Sequence, residues 1–245
     1  MNKRMLTFAN RNAREILRDP LTVCFGLGFP LVLLLLLSAI QANIPVTLFE
    51  IGSLTPGITV FGLSFITLFS ATVIAKDRSS SLLQRLYTTP LTAADFILGY
   101  TLPILPMAVA QTALCYLAAL PLGLKPTVDI LWAVLLNTPA SLLFISLGLL
   151  FGSILNEKQV GGICGALLTN LSAWLSGIWF DLSLVGDAFG IIANALPFVH
   201  AVELARAAVA GQYGEIFPHL WWVLGYAAVC MAAAVGLFLR QMRRQ

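Results

Sequence analysis

Long apolar segments without a charged residue fill most of this chain, and short polar segments separate them. Six of the apolar segments reach the roughly 20 residues that an α-helix needs to cross about 30 Å of hydrocarbon. Apolar and polar residues do not alternate along them with a period of two, which excludes the strands of a membrane β-barrel. We therefore predict an all-α integral membrane protein with six transmembrane helices, over Leu21–Phe49, Ile51–Ala75, Phe96–Leu124, Ile130–Asn156, Gln159–Phe180 and Leu220–Leu239.

The basic residues outside these predicted spans lie almost entirely on one side. Twelve of the 14 Lys and Arg residues precede span one, follow span six, or lie in the loops after spans two and four; Lys125 and Arg206 are the exceptions. Cytoplasmic loops carry such an excess, so both termini are predicted to be cytoplasmic. The net charge of +3 therefore reflects topology and does not indicate a nucleic-acid partner. With 59% hydrophobic residues, residues 1–245 are expected to form one domain in a bacterial-type inner membrane, surrounded by lipid.

The first 20 residues form the pattern of an amphipathic helix. At 100° per residue, one arc of about 120° is apolar, and it consists of Met5, Leu6, Ala9, Ala13, Ile16 and Leu17. Asp19-Pro20 ends the helix, because the residue before a proline avoids the α conformation. We expect a helix in the cytoplasmic interface, with Arg14 and Arg18 near its end. A simple basic anchor in front of span one is the alternative.

The loop after span two, residues 76–95, contains a second short helix in this prediction. Leu82, Leu83 and Leu86 share one side of that helix, and Pro90 ends it. Arg78 and Arg85 are seven residues apart and fall on one edge. Three leucines exposed to the cytoplasm favour a docking surface for a soluble partner, although they would also fit into the lipid headgroup region.

The segment 181–219, between spans five and six, is long and only weakly polar. Within it, Ala188–Val199 is uncharged but too short to span, which is typical of a re-entrant or interfacial segment. His200, Glu203 and Arg206 follow at three-residue spacing on one helical face. A Glu–Arg ion pair with the histidine alongside is the simpler interpretation, and substrate handling is the alternative.

Polar and small residues inside the predicted spans allow two interpretations. The polar ones either bond neighbouring helices or line a translocation path, and they are Asn137 and Ser141 in span four and Thr169, Asn170 and Ser172 in span five. Gly148/Gly152 and Gly161/Gly165 have the four-residue spacing that lets helices approach closely. Such pairs serve packing within one chain or, for span five, contact with a second copy.

Motifs for catalysis are absent from the sequence. It contains no G-x-x-x-x-G-K-[ST] phosphate-binding loop, no H-E-x-x-H and no cluster of Cys and His with metal-ligand spacing. The six predicted spans hold no Asp, Glu, Lys or Arg, which ion-coupled carriers usually need. We expect no catalytic residue, metal ligand or cofactor on this chain, and an energy source on another subunit.

Three regions resemble the membrane subunits of type-2 ABC exporters. The first is the amphipathic helix that ends at Arg18-Asp19-Pro20, and the second runs from Pro56-Gly57 to Pro90 with its charged turn and leucines. The third runs from Leu196 to Arg206 and is similar to the external element of that family. The resemblance follows the order of the chain and covers essentially its whole length.

The resemblance implies a half-transporter: two permease subunits, identical or homologous, on two separate ATPase subunits that bind ATP and Mg. The coupling residues would be Asp77, Arg78, Ser79, Ser80, Leu82, Leu83, Arg85, Leu86 and Pro90, supported by Arg14, Arg18 and Asp19. An external gate would include Pro197, His200, Glu203 and Arg206. The uncharged spans favour a lipophilic or amphiphilic cargo such as a drug, antibiotic, lipid or glycolipid. A scaffold that transports nothing, and an intramembrane enzyme or ion-coupled carrier, are the competing functions.

Overall fold

Ten helices make up most of residues 3–80, 82–87 and 91–242, the parts of the chain that this computed structural model describes. They are α1 (Lys3–Arg18), α2 (Pro20–Ala42), α3 (Ile51–Ser79), α4 (Leu82–Tyr87), α5 (Ala93–Ala119), α6 (Asp129–Ile154), α7 (157–174), α8 (Asp187–Ala195), α9 (Pro197–Val209) and α10 (Tyr213–Met242). Short π-helical stretches lie within α2 and α7, and a 3-10 turn covers Leu182–Leu184. No strand occurs in these described ranges, which confirms the all-α prediction.

Five of the helices are long and apolar enough to cross a membrane, namely α2, α3, α5, α6 and α10. The pair α8 and α9, bent by 81°, makes a sixth candidate if it is counted as one broken span. This bend lies within the segment expected to be re-entrant. The predicted fifth span differs, because α7 begins with three polar residues and ends at Trp174 rather than at Phe180. Gly177, at a φ of +67° that favours glycine, lies in the turn that follows.

The most buried of the candidate spans is α3, and α6 packs closely along it. A Cβ atom on Gly152 would lie 2.7 Å from the carbonyl oxygen of Ala71, so the two backbones meet directly there. The hydroxyl of Thr67 donates to the carbonyl oxygen of Phe144 at 2.7 Å across the same contact. Gly148 and Gly152 therefore pack helices within one chain, whereas Gly161 on α7 faces open space.

Side-chain caps fix the places where helices begin. Asp19 separates α1 from α2 and accepts hydrogen bonds from the backbone N–H groups of Leu21 and Thr22, as the Asp-Pro break predicts. The hydrogen bond from the Thr22 hydroxyl holds the pKa of Asp19 below its usual value. At the start of α5, Thr92 and Asp95 cap each other reciprocally. These caps set the entry of the chain into α2 and α5.

Candidate functional site

An ion pair with a buried carboxylate joins α1 to the end of α3. The Arg11 guanidinium donates two hydrogen bonds to the Asp77 carboxylate, at 2.6 and 2.8 Å, and the Tyr100 hydroxyl of α5 donates a third at 2.9 Å. The Asp77 side chain is 1% exposed. Burial lowers the pKa of Arg11, but the hydrogen bond and charge of Asp77 more than offset this, so the pKa lies above its ordinary value. Glu15 extends the network by contacting Arg11 at 2.5 Å and Lys76 at 3.1 Å.

The face of α1 that packs on α5 carries a polar residue at its centre. Asn12 is fully buried, and its side-chain amide donates to the carbonyl oxygen of Gly99 at 3.0 Å. The Phe8 ring meets the rings of Phe96 and Tyr100 edge to face, with centroids 5.6 and 5.0 Å apart. A Cβ atom on Gly99 would clash with the Phe8 ring, so this glycine allows the close approach. These contacts fix the position of α1 on the helical bundle.

The face of α1 that packs on the protein is turned from the apolar arc of the helical wheel. It consists of Met5, Phe8, Ala9, Asn12 and Ile16, whereas Leu6 and Leu17 are exposed. The rotation is about 70° at 100° per residue. It follows from the Arg11–Asp77 pair, which draws a charged residue toward the protein and leaves the leucines on the side available to lipid. Arg14 and Arg18 are exposed, as an interfacial helix requires.

Arg78 connects α3 to the C-terminal end of α6. Its guanidinium donates to the carbonyl oxygens of Ser153 and, at 2.9 Å, Leu155, which belong to the orphan acceptors of that helix end. A cation at this position also interacts favourably with the helix dipole. The neighbouring Ser79 donates to Glu157 at the start of α7 at 2.6 Å, and Gln241 of α10 donates to Ser153.

The short helix α4 has a different surface from the predicted one. Leu83 is 1% exposed and belongs to the hydrophobic core, so the expectation of three exposed leucines is wrong at this position. Leu82 and Leu86 are half-buried, and Arg85 is exposed. Arg78 lies in α3, so it does not share a helix edge with Arg85. Pro90 lies outside the described residues.

A groove of about 490 Å³ separates α4 from α1. It is lined mostly by apolar groups, with two arginines, and consists of Arg4, Thr7, Phe8, Arg11, Leu82, Leu86 and Leu91. We refer to α1, α4 and the adjoining ends of α3, α6 and α10 as the basic end of the bundle. Three of the predicted coupling residues hold helices together at this end, namely Asp77, Arg78 and Leu83. Three others are exposed, namely Ser79, Ser80 and Arg85.

The opposite end, which we call the far end, contains the α8–α9 bend. There Arg206 forms the expected ion pair with Glu203 at 2.7 Å and also donates to the carbonyl oxygen of Gly177 at 3.0 Å. Both side chains line a cavity of about 370 Å³ whose other walls include Glu50, Trp179 and Asp181. The hydrogen bond that the Ser183 N–H donates holds the pKa of Asp181 below its usual value.

His200 points away from that ion pair. Its Nδ1 lies 2.9 Å from Nδ1 of His219 on α10, and its Nε2 lies 2.9 Å from the carbonyl oxygen of Asn194 on α8. The ring also stacks on Trp222 at a centroid distance of 5.0 Å. Pro197 begins α9 at the bend. The other three predicted gate residues thus serve two separate contacts, Glu203 and Arg206 at the cavity and His200 at α10.

The polar residues predicted within the spans are not gathered in one path. Asn137 is buried and donates to Thr112 of α5 at 2.8 Å, which is a contact between helices. Ser141, Thr169 and Ser172 are buried and donate to carbonyl oxygens of their own helices. Asn170 is exposed on α7, where its amide donates to Ala166 of the same helix.

The contacts among α1, α3 and α5 depend on three residues that the sequence did not single out, namely Arg11, Asn12 and Tyr100. Asn12 offered one signal, because it lies within about 20° of Met5 on the helical wheel and thus interrupts the apolar face. The pairing of Arg11 with Asp77 has no local signal, since 66 residues separate them.

Comparison with known proteins agrees with this architecture. The family model described as ABC-2 type transporter matches residues 4–210. The chain is also similar to Nodulation protein J of Bradyrhizobium diazoefficiens, with 24% identity over 229 residues that cover 93% of this chain and 86% of that protein. The family and the apolar spans together make it a multi-pass protein of the inner membrane and a membrane subunit of an ABC transporter. The chain belongs to the ABC-2 type transporter family.

Proposed function

We propose that this chain is the permease subunit of an ATP-driven exporter, and that a separate ATPase subunit binds at its basic end. The observation that carries the proposal is the network around α4. Arg11, Asp77 and Arg78 bond the segments next to this short helix to α1, α5 and α6. A helix held in this way would pass a displacement to several spans at once, which is what an ATP-driven subunit requires of its partner.

The same proposal places the basic end in the cytoplasm, ATP and Mg on the partner ATPase, and no catalysis on this chain. The excess of Lys and Arg at this end supports the orientation. Cysteines placed singly at Ser80 and at Leu184, which is 80% exposed at the far end, give a matched pair of probes. An impermeant thiol reagent added to intact cells should label the second and leave the first unlabelled. Labelling at Ser80 would reverse the orientation.

The docking test uses an exposed residue, because a change at buried Leu83 would disturb the fold. We expect Arg85→Glu to reduce co-purification of the neighbouring ATPase at least tenfold, since Arg85 is an exposed cation on α4. Lys125→Glu in the loop between α5 and α6 is the matched control, with the same charge change at an exposed site outside the basic end. Both variants should reach the membrane in normal amounts. Equal ATPase recovery with both variants would remove α4 from the docking surface.

We further propose that a second permease copy covers one face of α7. Asn170 is exposed there, with its amide bonded only within the helix among the described contacts, and an amide facing lipid is unfavourable. Around Gly161 and Gly162 no atom lies within 4 Å of an added Cβ. Gly162→Leu should therefore weaken the dimer and leave the monomer folded, whereas Gly236→Leu, at an equally open position on α10, should leave the dimer intact. Chemical cross-linking in membranes distinguishes the two outcomes.

The proposed cargo is lipophilic or amphiphilic, such as a drug, antibiotic, lipid or glycolipid. The support is the lack of Asp, Glu, Lys and Arg in the apolar segments, since a compact ion would need charged or strongly polar groups along its path. The complex reconstituted in lipid should hydrolyse ATP faster when a suitable amphiphile is added. A complex that assembles with its ATPase but responds to no member of a broad amphiphile panel would favour the scaffold function.

A further inference from the structure

Side chains of α9 and of α10, the last span, attach the α8–α9 bend to that span. Tyr226 of α10 donates to the carbonyl oxygen of Ala195 at 2.5 Å, directly at the bend. His200 of α9 contacts Asn194 on one side and His219 of α10 on the other. Trp222 packs flat against the His200 ring, with an angle of 13° between the ring planes. The two histidines therefore lie at the junction of α8, α9 and α10.

The geometry limits how many protons this contact can hold. The Asn194 carbonyl oxygen can only accept, so His200 carries its hydrogen on Nε2 and, in the neutral ring, presents a lone pair at Nδ1. His219 then donates its Nδ1 hydrogen across the 2.9 Å contact. If both rings were imidazolium, both Nδ1 atoms would carry hydrogens and positive charge. The hydrogen bond would then be replaced by a repulsive contact between two donors.

We infer that His200 and His219 form a proton-sensitive latch, which holds the bend on α10 while at least one ring is neutral and releases it when both are charged. Imidazoles change charge between about pH 5 and pH 8. The His200 side chain is 7% exposed, so neighbouring water can screen the second charge only after the contact opens. The inference rests on the proposed function only in placing the latch on the external face, where it would respond to acidification outside the cell.

Other charged groups near the far end do not reproduce this response. The charges that act on His200 are those of His219 and Glu203, and Glu203 is paired with Arg206. The titratable or charged groups near this end of α9 and of the elements packed against it, besides the two histidines, are Glu50, Asp129, Asp181, Asp187, Glu203, Arg206, Tyr213, Glu215 and Tyr226. Carboxylates ordinarily stay ionised down to about pH 5, and arginine and tyrosine hold their protons throughout this range. Imidazole is the side chain that ordinarily changes charge in this range.

The test measures the distance between α8 and α10 in the permease alone, in lipid nanodiscs. Cysteines at Ile191 and Phe217, which are 71% and 60% exposed, carry spin labels after the four native cysteines are replaced. Lowering the pH from about 8 to about 5.5 should lengthen or broaden the distance distribution reversibly. His219→Gln keeps a hydrogen-bond donor toward His200 but cannot form the charged pair, so its distribution should stay constant. Glu203→Gln is the control that should retain the response.

Two results would overturn the latch: an unchanged distribution in the unmodified pair, or a response that persists in His219→Gln. If His219→Gln lowers expression, His200→Gln provides a second test, because it leaves a single imidazole at the junction. Both measurements proceed without an ATPase. Failure of the latch therefore leaves the proposed docking at the basic end untouched, and loss of docking leaves the latch intact.

Discussion

The two ends of this permease are held together by different interactions. At the basic end, a buried carboxylate is fully engaged: Asp77 receives hydrogen bonds from Arg11 and Tyr100, and the partly exposed Arg78 binds the carbonyl oxygens that end α6. At the far end, Arg206 and Glu203 line an open cavity, and the bend is attached through histidine and tyrosine side chains. The difference suggests a rigid platform at one end and a movable segment at the other.

The two ends should differ in rigidity because the free energy needed to separate their interacting groups differs. A buried carboxylate that loses its cation is left without solvation, which resists opening strongly. The Glu203 side chain is 38% exposed, against 1% for Asp77, and an ion pair that water reaches contributes less. Segments with fewer buried contacts open locally at lower free energy. The contrast can be tested by matched substitutions at the two ends.

The largest difference is expected between two aspartates. Asp77→Asn should lower the free energy of unfolding by about 2–3 kcal/mol, because Arg11 loses its buried counter-charge although it is itself partly solvated. Asp129→Asn, which affects only an exposed hydrogen bond from Tyr213, should cost less than about 1 kcal/mol. Unfolding in mixed micelles measures both values. Equal losses would contradict the proposed difference between the ends.

The next largest difference in unfolding free energy is expected between two arginines of the proposed coupling region. Arg78→Gln should cost about 1–2 kcal/mol, since the last carbonyl oxygens of α6 lose their donor. Arg85→Gln should change the unfolding free energy by less than about 0.5 kcal/mol, because this side chain is exposed. The same unfolding assay applies. A larger loss for Arg85 would show that α4 depends on it for folding and would weaken its use as a docking probe.

The smallest difference in unfolding free energy is expected between the removal of two tyrosine hydroxyls. Tyr100→Phe removes a donor from the buried Asp77 carboxylate and should cost about 1 kcal/mol. Tyr226→Phe removes an exposed contact with Ala195 and should cost about half as much, while amide exchange across 187–209 becomes faster. Hydrogen exchange read by mass spectrometry resolves the two segments. Faster exchange near the basic end in Tyr226→Phe would show that the ends are not independent.

Sequence reasoning was most successful where a single segment contains the information. The apolar runs predicted α2, α3, α5, α6 and α10, and Asp19-Pro20 predicted the end of α1. The Glu203–Arg206 pair followed from helical spacing alone. Each of these features depends on residues close together in the chain, so periodicity is sufficient.

Features made by distant residues were predicted poorly. The helical wheel of α1 could not give the face that packs on the protein, because the partner of Arg11 lies in α3. Leu83 was expected to be exposed because α4 was considered without the core beneath it. For His200, spacing favoured a place beside Glu203, but its ring nitrogens contact Asn194 and His219 on two other helices. In each case tertiary packing decided which side of a helix turned inward.

The central claim, that the basic end transmits the action of an ATPase to the far end, is tested by one distance. Spin labels at Ile191 and Phe217 report the position of the bend in the complete complex with its ATPase, before and after trapping with ATP, Mg and vanadate at constant pH. We expect the distance distribution to change in the otherwise unmodified complex. In Arg11→Ala the ATPase should still bind, but the change should be strongly reduced, because α1 no longer holds Asp77. An equal response with and without Arg11 would contradict the claim.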